Sequence, residues 1–208
     1  DREERSEQGR QQRAERLQAA LFQIAQLATV DIDQTEFCRR VHAVIGGLIN
    51  AENFYIALLS EDRASIEFAY FIDKTEQDHP SRPTGAGLSE YVLREGPALL
   101  RRTDILELAQ RGQIDLETVG PVAACWLGVP LLADEKSIGL IVVQSYEENV
   151  VYGPADQELL SFVASQVANS LHRRRSAESL REAYVLLKRR IEDRTRELHA
   201  RNAELEIA

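Results

Sequence analysis

The chain has 208 residues, 44% of them apolar and 28% charged, which suits one folded domain with helical extensions and is too apolar for disorder. The net charge of −9 is unevenly spread: residues 1–16 are neutral, 173–208 carry +3 and 17–172 carry −12. So acidic a centre repels phosphates and excludes nucleic acid as the expected partner.

No apolar run reaches the roughly 20 residues of a membrane span, and none follows a basic start as in a signal peptide. Cys38 and Cys125 are the two cysteines, without C-x-x-C spacing. A disulfide framework and a structural zinc site are therefore not expected, and a reducing cytoplasm is the simple location. The sequence has no Met and opens on Asp1, so it reads as part of a longer protein.

Leu17, Leu21, Ile24 and Ala28 recur at helical spacing, which predicts a helix to about residue 28. A second helix is predicted over 33–48, with Phe37, Val41, Val44, Ile45 and Leu48 on one face. The period then changes. NFYIALL (53–59) and SIEFAYFI (65–72) are rich in aromatic and β-branched residues around a polar turn, which predicts an antiparallel hairpin. Residues 73–87 read as a loop, 88–94 as a short helix, 99–100 as a brief strand and 104–111 as another short helix. A second hairpin follows, ACWLGVPLL (124–132) and SIGLIVVQS (137–145).

From Pro154 the pattern is helical to the end. Proline suits the first turn, and Asp156 and Glu158 suit the positive end of the helix dipole. After Ala177 a heptad seam runs through Leu180, Tyr184, Leu187, Ile191, Leu198 and Leu205, with Arg194 and Arg201 as polar breaks. A helix of this length cannot bury its far half against so small a domain, and a second copy is the expected partner.

This order of elements resembles a GAF domain, the α/β sensor module of many signalling proteins. The resemblance covers 17–172 and rests on NFYIALLS, SIEFAYF, GAGLSEYVLREGPALL, WLGVPLL, SIGLIVVQS and VYGPADQELLSFVASQVANSL. The tail RIEDRTRELHARNAELE resembles the signalling helices that lead to histidine-kinase or GGDEF diguanylate cyclase outputs. The resemblance implies an α+β fold: a central antiparallel sheet of five or six strands, helices on one face, a ligand cavity on the other, and long coiled-coil helices at both ends. The implied organisation is a dimerising helix over 1–30, the sensor over 17–172 and a signalling helix over 173–208.

Departures from the family's special chemistries matter as well. Asn149 is followed by Val150, which breaks the N-K pattern of cyclic-nucleotide binders. Cys125 precedes Trp126 rather than the His common in bilin-binding relatives. Two cysteines so placed do not match the set of a free-methionine-sulfoxide reductase. The expectation is a non-catalytic sensory module, with a thiol-dependent GAF-fold reductase and a ligand-free dimerisation scaffold as alternatives. No cofactor is evident.

Tyr55, Phe68, Tyr70, Tyr91 and Trp126 are candidate pocket residues, with sheet packing as the competing account of each. Strict alternation puts Phe68 and Tyr70 on one face. Arg82, Thr84 and Gly85 form a possible anion site through the guanidinium fork and backbone N–H groups, against a plain solvent loop. Gly85-Ala86-Gly87 lacks the rest of a dinucleotide fingerprint. His42, His79, His172 and His199 have no partner at ligand spacing, so no metal site is expected. Arg173–Arg175 beside His172 argue against a phospho-acceptor histidine. They and 188–190 read as solvated coiled-coil flanks. No G-x-S-x-G, P-loop or H-E-x-x-H occurs, and no catalytic residue is assigned.

Overall fold

The computed structural model describes residues 2–76 and 79–207, with side chains over 7–76 and 79–203. The chain divides into two units, residues 1–171 and 172–208. In the first, helices α1 (Arg2–Leu27) and α2 (Gln34–Gly46) precede the hairpin β1 (Asn53–Leu59) and β2 (Ser65–Ile72). Then come β3 (Arg82–Pro83), α3 (Leu88–Glu95), β4 (Ala98–Arg101), α4 (Arg102–Gln110) and the single-turn α5 (Leu116–Val119). The second hairpin, β5 (Cys125–Ala133) and β6 (Lys136–Ser145), leads into α6 (Pro154–Ile207).

The strands form one six-stranded sheet in the order β3-β2-β1-β6-β5-β4, with every neighbouring pair antiparallel. The middle strands β1 and β6 are apolar on both faces, as strands covered on both sides must be. On one face Phe54, Ile56 and Leu58 of β1 join Leu127, Val129, Ile141 and Val143. Against them pack Ile24 of α1, Phe37, Val41 and Ile45 of α2, and Leu160, Val163, Val167 and Leu171 of α6. Asp33 starts α2 by accepting the Glu36 N–H at 2.7 Å, an N-cap.

The opposite face carries Tyr55, Ala57, Leu59, Ile66, Trp126, Leu140 and Val142. It is roofed by Leu88 and Val92 of α3 and Ile105 of α4. Asp134 and Glu135 turn the second hairpin with φ of 49° and 62°, the left-handed pair of a type I′ turn.

Three details depart from the period-based reading. The loop 73–87 contains the edge strand β3, and α5 stands where no element is expected. The third concerns β2. Ala57 pairs with Phe68 and Ile56 with Tyr70, so Ala69 is the extra residue of a β-bulge. Phe68 therefore joins the roofed face, while Tyr70 packs against the core of the long helices.

The second unit is the helix over 172–207. Leu180, Tyr184, Leu187, Ile191 and Leu198 are all exposed, from 52% at Leu198 to 73% at Leu180. Arg194 bonds Glu197 at 2.5 Å rather than a seam neighbour. Leu205, the last seam residue, lies outside the described side chains.

Candidate functional site

A pocket opens on the roofed face of the sheet. Its floor is Tyr55 of β1, Phe68 and Phe71 of β2, Trp126 of β5 and Gln144 of β6, and its rim is Glu76, His79, Arg82, Ser89 and Thr118. Trp126 is 1% exposed. It lies flat because Gly128, two residues on and on the same face, has no side chain; a Cβ there would sit 2.3 Å from the indole. The Tyr55 hydroxyl shares a 3.1 Å hydrogen bond with Ser89. Burial, offset only in part by the Ser89 bond, pushes this phenol up to about 12.

The rim is organised by two carboxylates. Asp73 accepts from Gln144 Nε2 at 2.7 Å and from the Tyr146 hydroxyl at 3.1 Å, and its other oxygen accepts the N–H groups of Thr75 and Glu76. Burial first, and then the Asp73 charge, push the Tyr146 phenol up. Glu90 of α3 sits under the loop 82–87. It takes both arms of the Arg82 guanidinium, one at 3.2 Å, and the N–H groups of Gly85 at 2.8 Å and Gly87 at 3.1 Å. Burial alone would raise its carboxyl. The Arg82 bond, the Gly85 N–H and the guanidinium charge outweigh burial and hold it below the ordinary value.

Of the residues expected from the sequence, Tyr55, Phe68, Arg82 and Trp126 come together here. Thr84 does not: its N–H and hydroxyl both donate to Ala64 O, at 2.9 and 3.2 Å, extending the β2–β3 pairing. Tyr91 stands outside the pocket lining, half-buried on α3 under the Arg94 guanidinium, 5.6 Å from its ring centre. Tyr70 stands on the other face. Its hydroxyl meets His42 Nδ1 at 3.0 Å, while His42 Nε2 donates to Ala51 O at 2.6 Å and the imidazole stacks on Phe54. The anion-binding groups expected at 82–87 are likewise engaged, because the Glu90 carboxylate already occupies Arg82 and both glycine amides.

The sequence reading missed Phe71, Glu76, His79, Ser89, Gln144 and Tyr146. For Glu90 a signal existed: Glu at the third position of a helix is the reciprocal half of a capping box, here accepting the Gly87 N–H. Among the described residues no group of His, Cys, Asp and Glu could hold a metal ion, and no helix is long and apolar enough to cross a membrane. Cys38 and Cys125 are buried in the core of the long helices, across the sheet from the pocket.

The sequence profile of the GAF domain matches residues 31–172. The chain belongs to the GAF family. Solved structures share its fold at low identity. The GAF domain of a phosphoenolpyruvate-protein phosphotransferase from Coxiella burnetii is 16% identical with a TM-score of 0.62, covering 80% of this chain and 98% of that one. The GAF domain of a putative sensor histidine kinase from Pseudomonas syringae pv. tomato is 19% identical with a TM-score of 0.56, covering 85% and 97%. The free methionine-R-sulfoxide reductase of Neisseria meningitidis, solved with its substrate, is 15% identical with a TM-score of 0.60, covering 77% and 91%. No curated protein sequence matches the chain significantly. GAF domains are mostly sensory and regulatory modules rather than enzymes.

Proposed function

We propose that this GAF domain is a non-catalytic sensor, holding a small molecule in the pocket over Tyr55, Phe68 and Trp126. In this reading it works as a parallel cytoplasmic homodimer and passes its state through the 173–208 helix to an output domain of the same protein. A diguanylate cyclase or a histidine kinase suits such a helix. The observation that carries the reading is the exposed stripe Leu180, Tyr184, Leu187, Ile191 and Leu198. Apolar side chains repeating at alternating spacings of three and four are the seam of a coiled coil, and left in water they forfeit the burial that stabilises one. Parallel pairing follows if two identical outputs must receive the same signal. Sedimentation at tens of micromolar should show a dimer; a monomer overturns the reading.

A ligand-free scaffold has one observation in its favour. The pocket holds only about 40 Å³ of free space, far below the roughly 300 Å³ and more of ordinary ligand sites. The reductase alternative has less support, since both thiols are buried in the other core.

A further inference from the structure

One side chain of the pocket's rim lies against its aromatic wall. The His79 ring lies 4.7 Å from the Phe68 ring centre at 30° and 4.3 Å from Phe71 at 64°. Its Nε2 bonds Glu76 Oε2 at 2.6 Å. Both side chains are three-quarters buried, 25% exposed each. Tyr55 completes the aromatic wall, with ring centres 5.6 Å from those of both phenylalanines. A flat nitrogen heterocycle held by aromatic rings and one carboxylate is how a protein binds a small nitrogenous ligand. Here the chain supplies that ligand itself.

We infer that His79 is a built-in surrogate, and that the pocket's ligand is a small, flat N–H donor of imidazole, amidine or guanidine type that displaces it. The inference deepens the sensor reading and rests on it. Two features set the ligand's charge. The groups that would attract an anion, Arg82 and the amides of Gly85 and Gly87, are already taken by Glu90. Removing His79 leaves Glu76 on the pocket lining and lacking the N–H that His79 supplied, a deficit that an N–H donor corrects and an anion worsens. Rotating the ring out adds its own volume to the existing space, enough for a ligand head group of the same size.

The test uses the full 208-residue chain. In His79→Ala, imidazole should bind with a dissociation constant on the order of 1 mM, the weak affinity open to a ligand of five heavy atoms. That should be about tenfold tighter than binding to the unaltered chain, where His79 competes for the site. Adding Glu76→Gln should remove most of the gain, and acetate should not bind. Equal imidazole affinity with and without His79, acetate binding as well as imidazole, or a gain that survives Glu76→Gln would each overturn the inference.

A second measurement needs no variant. In the unaltered chain the His79 ring-proton NMR signals should lie upfield, under the Phe68 and Phe71 ring currents. They should move toward those of a free histidine as methylguanidinium is raised to about 100 mM. Signals that begin at free-histidine positions, or stay upfield throughout, overturn it. A chain that passes both tests yet sediments as a monomer supports this pocket chemistry while sinking the dimeric output.

Discussion

Phe68 and Tyr70 are two residues apart on one strand and stand on opposite faces of the sheet, because Ala69 between them is the extra residue of a bulge. The bulge divides the aromatic run FAYFI between two tasks. Phe68 and Phe71 wall the pocket with Tyr55, while Tyr70 ties β2 to α2 through His42.

Tyr70→Phe should therefore cost stability and leave the pocket alone. The lost hydroxyl strands His42 Nδ1, at about 0.5–1.5 kcal/mol for a typical hydrogen bond. Denaturant unfolding reads the cost, and the imidazole affinity of the His79→Ala chain, measured with and without Tyr70→Phe, reads the pocket. A changed affinity would place Tyr70 in the ligand's surroundings after all.

Gly128→Ala should act on the pocket directly. The new methyl group would lie 2.3 Å from the Trp126 ring, so the indole must tilt off the sheet. Overpacking of this kind costs about 1–3 kcal/mol. Trp126 is the single tryptophan, so its fluorescence reports on this site alone. The emission should shift to the red as the indole meets water, and an unchanged spectrum would mean the backbone yields instead.

What could be read from the sequence divides along the same physical line. NFYIALL and SIGLIVVQS announce themselves as buried strands, because local β-rich composition and burial agree there. The bulge at Ala69 does not, since SIEFAYFI is apolar at consecutive positions and offers no alternation whose break could be seen. His79 enters the pocket only because the chain after β2 folds back over Phe68, a contact no spacing encodes. The four residues of α5 are too few to show a period. By contrast Tyr55, Phe68 and Trp126 were accessible, because large aromatics on central strands must face either a core or a cavity.

The Glu90 cluster gives a pH dependence of definite sign. Its carboxyl is held below its ordinary value of 4.5 in the folded chain. Its stabilisation is therefore complete above the unfolded value and is lost as pH falls through the lower, folded one. Glu90→Gln should cost about 1–3 kcal/mol near neutrality, the range for a hydrogen-bonded charge with little exposure. The difference in melting temperature between the two chains should narrow below pH 4.5 as the native carboxylate takes up its proton. A gap that is constant across the acid range would mean that Glu90 serves only through its shape.

In the proposed coiled-coil dimer Arg194 and Arg201 would sit where the heptad seam calls for leucine; both are exposed, Arg194 turned to Glu197 along its own helix. Polar residues at such positions lower the stability of a coiled coil and keep alternative registers close in energy. A ligand then needs to favour one arrangement by only about 1–3 kcal/mol to switch the output, the usual size of an allosteric coupling. Arg194→Leu with Arg201→Leu should raise the melting temperature of the proposed dimer and should hold the output of the intact protein in one state. The loss of the exposed Arg194–Glu197 pair works against this only slightly, since surface pairs contribute little. If the double variant melts higher and still switches normally, the two arginines are imperfections in the seam, and the signal leaves the domain without a change of register.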